Sequence, residues 1–338
     1  MREKGICVAG NIIMDVLYSI KGYPALGELA DITKWAERSS GGLVCNCLRD
    51  LANLDPELPL QAIGRVGDDD GGSFVLGRLT EFPNIDVSPV ISSGVSSITM
   101  VMADEITGQR TFFYHHGASA EFTEDDIDWS KIHGDILHIG YILCLDELDK
   151  PDEVYGTKMA RLLCHAQDHG MRTSVDVVSE TTGKIKKIMP PALRYTNYCI
   201  INELEAEQCT GIRLRDENGM LLEEELPKAL ARLHEMGVSE WAVVHCPELG
   251  CGMDQDGRYV SLPSVKLPKG YIKGTVGAGD AYCSGVLLAA ERGWTLEQAL
   301  ELGTAAAIGC LSKEDAATGV KSAEEALRDY RALRDQMK

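Results

Sequence analysis

Basic residues, aromatic side chains and long apolar runs are all scarce in this sequence of 338 residues. No apolar stretch approaches the length of a bilayer-spanning helix, so we expect no membrane segment. Lysine and arginine total 33 against 52 aspartate and glutamate residues, and the formal net charge is −19. A surface of that sign repels phosphate backbones and anionic lipid headgroups, which argues against nucleic acid or a membrane as a partner. An anionic small molecule remains an acceptable ligand if a local site supplies its own positive potential.

Paired cysteine motifs are also absent, although the chain has eleven cysteines. Cys45-x-Cys47 and Cys246-x4-Cys251 lack the two C-x2-C blocks of a structural zinc site, so we expect buried thiols rather than metal ligands. The first twenty residues show no hydrophobic signal region followed by a small-residue cleavage site. From these absences we predict reduced cysteines and a cytoplasmic location.

Short apolar runs that are typical of β-strands recur along the chain. Most have apolar residues on both faces, which predicts strands covered on both sides, as in a parallel sheet. From about residue 135 they alternate with helix-like segments such as Val154–His169 and Glu223–Met236. This alternation predicts an α/β fold with a three-layer, doubly wound and mostly parallel sheet. The predicted strands are Ile6–Ala9, Leu60–Ile63, Ile136–Ile139, Thr173–Val177, Tyr198–Ile201 and Trp241–Val244.

The segment Thr99–His116 differs, because its two strand-like runs flank a polar turn at Asp104–Gly108. That arrangement predicts a hairpin rather than a strand–helix–strand unit. With the stretch 16–37 it would form a small sheet attached to the main body. We therefore predict one domain over residues 1–338, with a small β-sheet lid formed by about 16–37 and 97–117.

Small residues are concentrated in Gly277-Ala278-Gly279, directly before a predicted helix at Ala281–Glu291. Glycines allow a ligand to approach the backbone, and a helix N-terminus presents unpaired N–H groups with a favourable dipole, so the segment predicts an anion hole. Asp280 beside it is suited to accept a proton from a hydroxyl that attacks a phosphoryl group. The same residues also suit a tight turn with an acidic first helical turn, so the chemistry alone leaves both interpretations open.

Two common nucleotide-binding motifs are missing. The sequence has no G-x-x-x-x-G-K-[ST], which excludes a Walker-type nucleotidase. Tyr282 occupies the position of the third glycine of G-x-G-x-x-G, so a dinucleotide dehydrogenase loses its main support.

Four other motifs occur in order along the chain. They are the pair Gly41-Gly42 followed by Asn46, GRVGDDDGG at 64–72, Asn202–Glu205 as N-x-x-E, and Thr275–Asp280 as [ST]-x-G-A-G-D. Together they make the sequence resemble the ribokinase (PfkB) family of carbohydrate kinases over nearly its whole length. Four motifs in the right order are far more specific than any one of them.

The resemblance implies ATP-dependent phosphorylation of a hydroxymethyl group on a small molecule, usually a sugar. Asp280 would be the catalytic base in that reaction. The backbone amides of Gly277, Ala278 and Gly279 would stabilise negative charge on the transferring phosphoryl group.

The resemblance also implies ATP and Mg²⁺ as cofactors. Thr275, Asn202 and Glu205 would serve the nucleotide, with Asn202 and Glu205 at the Mg²⁺ site and acting largely through ordered water. Taken alone, Glu205 would equally suit the solvated acidic start of a helix.

Four residues would form the acceptor pocket. Asp15 matches the family position whose carboxylate binds sugar hydroxyls, and Gly41, Gly42 and Asn46 would complete the pocket. Taken singly, Asp15 also suits a strand edge, and Asn46 suits a helix face without any ligand. The lid would exclude water, which would otherwise accept the phosphoryl group. The implied partners are a small-molecule sugar and ATP. A homodimer formed through the lid is a further alternative.

The sequence departs from the family pattern in two places. Gly274 stands where the family usually has an aspartate that helps to hold a monovalent cation, and our hypothesis is that Lys273 supplies the missing charge without potassium. His245-Cys246-Pro247 replaces Thr-x-Gly before an expected G-x-G turn at Gly250–Gly252, so the nucleotide contact made there in relatives is not carried over. The pair His115-His116 lies where some relatives carry a basic lid residue.

Two other functions stay open. A nucleoside kinase of the same family would be favoured by an aromatic-lined acceptor site, although aromatic residues make up only 6% of the chain. A catalytically impaired protein that binds sugar and nucleotide is the alternative from another class. Gly274 and Pro247 motivate that alternative, and the intact Asp280 argues against it.

Overall fold

The computed structural model describes residues 3–107, 109–179, 182–313 and 318–336. The strands are, in chain order, β1 Ile6–Gly10, β2 Ile13–Ile20, β3 Glu37–Gly41, β4 Leu60–Val66, β5 Ile85–Asp86, β6 Val90–Ser92, β7 Ser97–Asp104, β8 Arg110–His115, β9 Ile136–Ile142, β10 Pro151–Asp152, β11 Gly156–Thr157, β12 Arg172–Val177, β13 Tyr198–Asn202, β14 Trp241–His245, β15 Leu249–Asp254 and β16 Tyr259–Pro263. The helices are α1 Gly42–Leu54, α2 Asp70–Leu79, α3 Gly117–Ala120, α4 Lys158–Asp168, α5 Ile185–Leu193, α6 Glu203–Thr210, α7 Leu226–Glu235, α8 Ala278–Glu291, α9 Leu296–Leu311 and α10 Ala323–Asp335.

The large sheet has ten strands in the order β16-β15-β14-β13-β12-β9-β1-β4-β5, and β6 also pairs with β4. The pairs from β14 through β4 to β5 and β6 are parallel, whereas β14–β15 and β15–β16 are antiparallel. Central strands such as β1 and β9 are buried at nearly every position, as apolar runs in a covered sheet require. The predicted mostly parallel α/β sheet is confirmed.

Helices pack on both faces of this sheet and create two hydrophobic cores. One core joins α1 and α8, with Leu48 and Leu287 fully buried. The other joins α4, α5, α6 and α7, with Leu163 and Leu230 fully buried. The result is the three-layer arrangement that the alternation of strands and helices predicts. Across the described ranges, no helix is both long and apolar enough to cross a membrane.

Three helices begin at other residues than the sequence predicts. Helix α7 begins at Leu226 rather than Glu223, because residues 223–225 form a 3₁₀ turn before it. Helix α4 begins at Lys158 rather than Val154, because β10 and β11 pair as a short antiparallel unit before it. The Thr157 hydroxyl then accepts a hydrogen bond from the Ala160 N–H, which caps the helix. Helix α8 begins at Ala278, three residues earlier than predicted.

The prediction of a G-x-G turn at Gly250–Gly252 is wrong. Gly250 and Gly252 lie inside β15, which pairs antiparallel with β14. The chain reverses before them, at Pro247, where the Cys246 N–H donates to the Leu249 carbonyl at 2.9 Å. Proline suits such a reversal because its fixed φ matches the second position of a tight turn.

A second, four-stranded sheet has the order β3-β2-β7-β8. Strands β7 and β8 pair antiparallel, which confirms the predicted hairpin, and β2 pairs parallel with β7. The sheet draws on both segments assigned to the lid, but it starts earlier, at Ile13, and extends to Gly41. Gly108, at the end of the predicted hairpin turn, lies outside the described residues. Only Asn11 and Ile12 separate β1 of the large sheet from β2 of the small one.

Candidate active site

Two adjoining cavities lie between the small sheet and the ends of the parallel strands. The inner cavity, about 480 Å³, is lined by the C-terminal ends of β9, β12, β13 and β14, by the start of α8 and by lid residues. The outer cavity, about 450 Å³, is lined mainly by the lid strands and α1. Both are lined by Ile13, Thr99, Phe112 and Tyr141. Ligands of open α/β sheets bind at the carboxyl ends of the strands, so these cavities form the candidate site.

Asp280 lies in the first turn of α8 and lines the inner cavity, with 5% of its surface exposed. Its Oδ2 accepts a hydrogen bond from Asn46 Nδ2 at 2.8 Å and one from the Tyr141 hydroxyl at 2.9 Å. Burial raises the pKa of Asp280 to about 6, although both hydrogen bonds oppose the rise. The carboxylate is therefore oriented and mostly ionised at neutral pH, which suits a general base.

Helix α8 begins at the cavity wall without a side-chain cap. Its N-cap residue, Gly277, has a φ of +80°, a left-handed conformation that glycine adopts without strain. Gly277 and Gly279 line the cavity, and Ala278 is the first helical residue between them. The N–H groups of a first helical turn have no partner within the helix. The geometry is the one that the predicted anion hole requires.

His245, at the end of β14, covers this turn and lines the inner cavity. A Cβ atom added to Gly279 would lie 3.3 Å from His245 Cε1, so the glycine allows the two elements to approach closely. Burial lowers the pKa of His245 to about 4, and the ring is therefore neutral at neutral pH. In the sequence, His245 is visible only as a departure from the family pattern, because nothing local indicates that β14 ends opposite α8.

Asp15 and Gly42, two of the predicted acceptor residues, line the outer cavity. Gly41 makes room for the Asp15 carboxylate, because a Cβ atom at Gly41 would lie 2.0 Å from Asp15 Oδ2. Burial raises the pKa of Asp15 to about 6, and a hydrogen bond with Thr99 opposes the rise. Gly41 of the Gly-Gly motif therefore serves the fit of this carboxylate, whereas Gly42 allows a close approach to the Asn11 carbonyl.

Asn46 and Tyr141 connect the outer cavity to Asp280. Both residues line the outer cavity, and both donate hydrogen bonds to the Asp280 carboxylate. Asn46 Oδ1 is buried and has no hydrogen-bond partner among the described residues. The predicted acceptor residue Asn46 thus lies between the acceptor cavity and the predicted base. The sequence analysis missed Tyr141, which lies near the end of β9, beyond the predicted strand Ile136–Ile139.

The N-x-x-E motif forms a reciprocal cap at the start of α6. Asn202 Oδ1 accepts from the Glu205 N–H, and Glu205 Oε2 accepts from the Asn202 N–H, both at 2.9 Å. The Ser179 hydroxyl donates to Glu205 Oε1 at 2.7 Å. Both motif residues line the inner cavity, and Glu205 is buried, so the helix start is not a solvated one. Burial raises the pKa of Glu205 to about 7.

Asp176 is a third acid in the inner cavity, and the sequence analysis missed it. It lies near the end of β12 with 8% of its surface exposed. Burial, followed by the charges of Glu205 and Asp280, raises its pKa well above the usual range. The available signal is one acid inside a predicted strand, between Val175 and Val177, which suggests a functional position but does not identify its neighbours.

The three carboxyl groups make this wall suitable for a divalent cation. No basic side chain of the described residues is among the groups that perturb Asp176, Glu205 or Asp280. Mg²⁺ prefers carboxylate, amide and water oxygens, and a carboxylate with one hydrogen bond per oxygen keeps further acceptor capacity. The residues present therefore fit Mg²⁺.

Replacing Asp176 by asparagine should stabilise the metal-free protein at alkaline pH. A raised carboxyl pKa means that the folded chain holds a proton that the unfolded chain releases, so the free energy of unfolding falls as pH rises above about 4. An amide escapes that loss, so we expect Tm to rise by about 2 °C or more near pH 8, with little change near pH 4. Thermal melts with a chelator measure this, with the exposed Asp256→Asn variant as control. An equal or lower Tm for Asp176→Asn near pH 8 would contradict the prediction.

Four residues singled out in the sequence lie away from the lining of both cavities. Thr275 and Lys273 are exposed on the segment before α8. His115 is exposed at the end of β8, and His116 Nδ1 lies 3.1 Å from Asp146 Oδ2. The structure therefore does not bring these side chains together with Asp280.

Known sequences match this one over most of its length. A sequence model of the pfkB family of carbohydrate kinases matches residues 3–323. An uncharacterised sugar kinase from Archaeoglobus fulgidus is 26% identical over 260 residues, which cover 76% of this chain and 93% of that protein. A ribokinase from Arabidopsis thaliana is 22% identical over 331 residues, which cover 96% of this chain and 80% of that protein.

Solved structures share the architecture. A structure of Arabidopsis thaliana ribokinase complexed with ribose and ATP matches with a TM-score of 0.78 at 20% identity, covering 96% of this chain and 98% of that one. A nucleoside kinase from Methanocaldococcus jannaschii, an archaeal member of the ribokinase family, matches with a TM-score of 0.73 at 18% identity, covering 98% and 99%. At these identities the likeness establishes a ribokinase-like fold.

Proposed function

We propose that this chain, which belongs to the pfkB family of carbohydrate kinases, transfers the γ-phosphoryl group of ATP to a hydroxymethyl group of a small sugar or sugar-like acceptor. The observation that carries the proposal is the Asp280 carboxylate, held by Asn46 and Tyr141 at the uncapped N-terminus of α8. A base and the backbone N–H groups of a helix start are thus adjacent in one cavity, as in-line phosphoryl transfer requires.

In this mechanism Asp280 accepts the proton of the attacking hydroxyl group. Its pKa of about 6 keeps it ionised at neutral pH, yet close enough to that pH for efficient proton transfer. The N–H groups of Gly277, Ala278 and Gly279 stabilise the negative charge that develops on the transferring phosphoryl oxygens. Neutral His245 adds no charge beside them.

The nucleotide lies on the side of Asn202, Glu205 and Asp176, with Thr275 before the anion hole. Asp176, Glu205 and Asn202 would hold Mg²⁺, largely through water, and the ion would offset phosphate charge. The reciprocal cap at α6 fixes Asn202 and Glu205 in place, so these oxygens are positioned before the nucleotide arrives.

The acceptor occupies the outer cavity. The Asp15 carboxylate accepts hydrogen bonds from sugar hydroxyls, Gly41 and Gly42 leave room for the carboxylate and the acceptor, and Asn46 connects the acceptor to the base. The small sheet covers this cavity and keeps water from the phosphoryl group. We place the enzyme in a reducing cytoplasm, which suits a chain whose cysteines are thiols.

An ADP-release assay with ATP and Mg²⁺ tests the proposal across hexoses, pentoses, sugar acids and nucleosides, with Asp280→Asn as control. Turnover on a sugar class that the variant loses supports a carbohydrate kinase. A nucleoside kinase is the second candidate, because the rings of Phe112 and Tyr141 line the acceptor cavity and suit a nucleobase. Turnover on nucleosides alone would select it. Binding of sugar and nucleotide without any product would select the catalytically impaired binding protein.

Turnover should be independent of potassium. Gly274 removes the carboxylate that helps to hold a monovalent cation in relatives, and Lys273 supplies a fixed positive charge in the adjacent segment. Initial rates in sodium and in potassium chloride at equal ionic strength should therefore agree within about twofold. Lys273→Gln should lower the rate in both salts. A severalfold higher rate in potassium chloride than in sodium chloride would contradict the hypothesis.

The chain should form a homodimer through the lid. Strand β8 is an edge strand of the small sheet, and an exposed apolar edge favours pairing with another copy. Exposed apolar side chains of the lid are Leu26, Leu29, Ile32, Trp35, Met100 and Phe113. Light scattering should give twice the mass of one chain, and Phe113→Asp should give monomers, whereas the matched Val154→Asp variant stays dimeric. A monomeric parent chain would rule the dimer out.

A further inference from the structure

The outer cavity contains an unusual concentration of unpaired positive charge. Arg38, Arg49 and Arg110 all line it. Apart from Arg194 and Arg213, every other arginine that the structure describes forms an ion pair with a carboxylate. Two acids, Asp15 and Glu37, also line the cavity, but the described residues show no ion pair between either of them and these arginines. Arg38 and Arg110 are exposed, whereas Arg49 is buried, and a buried charge without a partner calls for a ligand.

Arg49 is the strongest of the three observations. Its residue is only 9% exposed, so a permanent charge is largely removed from water. Its Nη1 donates to Ser40 Oγ at 3.2 Å, and its Nε is buried without a hydrogen-bond partner among the described residues. A buried guanidinium with unused donors is costly unless an anion completes it. A bidentate anionic group matches the planar fork of its donors.

Two of the arginines, Arg38 and Arg110, lie away from the reacting end of the acceptor cavity. On β8, Tyr114 lines only the inner cavity, Phe112 lines both, and Arg110 lines only the outer one. Arg38 lies on β3, an edge strand of the small sheet, and also lines only the outer cavity. The end near Asp280 therefore receives the hydroxymethyl group, and the far end carries the positive potential.

We infer that the acceptor is itself an anion: a small polyhydroxy compound that carries a carboxylate or phosphate at the end remote from its reacting hydroxymethyl group. This inference rests on the proposed function and narrows it. Asp15 binds the hydroxyls in the middle of the molecule, and Arg38, Arg49 and Arg110 bind the anionic group. The lining of the outer cavity holds three arginines against two acids, Asp15 and Glu37, so its net charge is positive although the chain as a whole is acidic, which favours an anionic substrate there.

Three acceptors that share carbons 2 to 6 test the inference: D-fructose, 2-keto-D-gluconate and D-fructose 1-phosphate. They present a neutral group, a carboxylate and a phosphate at the same place. We expect kcat/KM to be at least about tenfold higher for one or both anions than for fructose, because charge-assisted bidentate hydrogen bonds are about twice as strong as neutral ones. The better anion identifies which group the arginines bind. Equal kcat/KM values for all three would overturn the inference while leaving the kinase assignment intact.

Matched variants locate the effect. Arg110→Gln, at an exposed position, should lower kcat/KM for the preferred anion by about tenfold and change the value for fructose less than about twofold. Arg49→Gln should do the same, and Arg49→Lys should restore part of the loss, with melting curves to check folding. Arg194→Gln, an exposed unpaired arginine elsewhere, should change neither value. Equal losses for neutral and anionic acceptors would show that the arginines support the fold and not the charge.

Binding distinguishes failure of this inference from failure of the proposed function. If no acceptor of any class releases ADP, the kinase assignment fails, and calorimetry with the two anions then decides the inference alone. Heat of binding that Arg110→Gln removes would support an anion site in a protein without turnover. Absence of binding by both anions would overturn it.

Discussion

Replacing Asp280 by asparagine should lower kcat by about 10²- to 10⁴-fold, the range that one general base contributes. The amide keeps the shape of the side chain and loses only the ability to take the proton. The Asn46 and Tyr141 hydrogen bonds to Oδ2 can persist on the amide oxygen, so the pocket should stay intact. Kd values for acceptor and nucleotide should therefore change little, which separates a lost proton acceptor from a damaged site.

Steady-state rates and calorimetry on the same preparation measure this split. Asp256→Asn, at an exposed turn, is the matched control and should behave as the parent enzyme. If Asp280→Asn retains a tenth or more of the parent kcat, Asp280 is not the base.

The pH profile gives an independent check on the same group. Because Asp280 must be ionised to accept a proton and its pKa is about 6, kcat/KM should rise with pH through about 6 and then level off. Tyr141→Phe removes a hydrogen bond that lowers this pKa, so the inflection should move to higher pH. A profile that is flat between about pH 5 and pH 8 would contradict the assignment.

Replacing Asp15 by asparagine should lower kcat/KM for the acceptor by roughly 10- to 100-fold, mainly through KM, because hydrogen bonds to a charged group are worth about 1.5–3 kcal/mol. The KM for ATP should stay within about twofold, since Asp15 lines only the outer cavity. Asp31→Asn, an exposed acid between β2 and β3, is the matched control. Unchanged acceptor KM in Asp15→Asn would remove Asp15 from the acceptor site.

Gly41→Ala tests the same contact without altering any charge. The new Cβ atom would lie 2.0 Å from Asp15 Oδ2, so the carboxylate must move. The variant should therefore also raise the KM for the acceptor and leave the KM for ATP unchanged. Gly77→Ala on α2, where a Cβ atom meets nothing within 4 Å, is the control for the substitution itself.

The parts of this site that follow from the sequence are those carried by consecutive residues. Gly277, Ala278, Gly279 and Asp280 form a local unit, because a glycine-rich turn and the first turn of a helix need only each other. The parallel sheet was also predictable, since strands such as Ile6–Ala9 are apolar throughout.

The residues that the sequence analysis missed belong to the tertiary arrangement. Asp176, Tyr141 and His245 each lie at the end of a different strand, and only the order of strands in the sheet makes them neighbours. Arg49 gives no local sign of burial, because an arginine on a helix is usually exposed. The misplaced G-x-G turn has a local cause: Pro247 moves the reversal to the residues before the glycines.

The short connection between the two sheets bears on the order of events in a catalytic cycle. Strand β2 follows β1 after only Asn11 and Ile12, and Asp15 is the third residue of β2. Asn11 Nδ2 donates both to the Tyr114 hydroxyl of the small sheet and to the Cys144 carbonyl of the main body, at 3.2 and 3.0 Å. Asp15, the proposed acceptor ligand, thus lies on a strand of the sheet that covers its cavity. Because the strand that carries Asp15 also belongs to the sheet that excludes water, we expect the acceptor to bind first. For the same reason we expect ATP hydrolysis to be slow when no acceptor is bound.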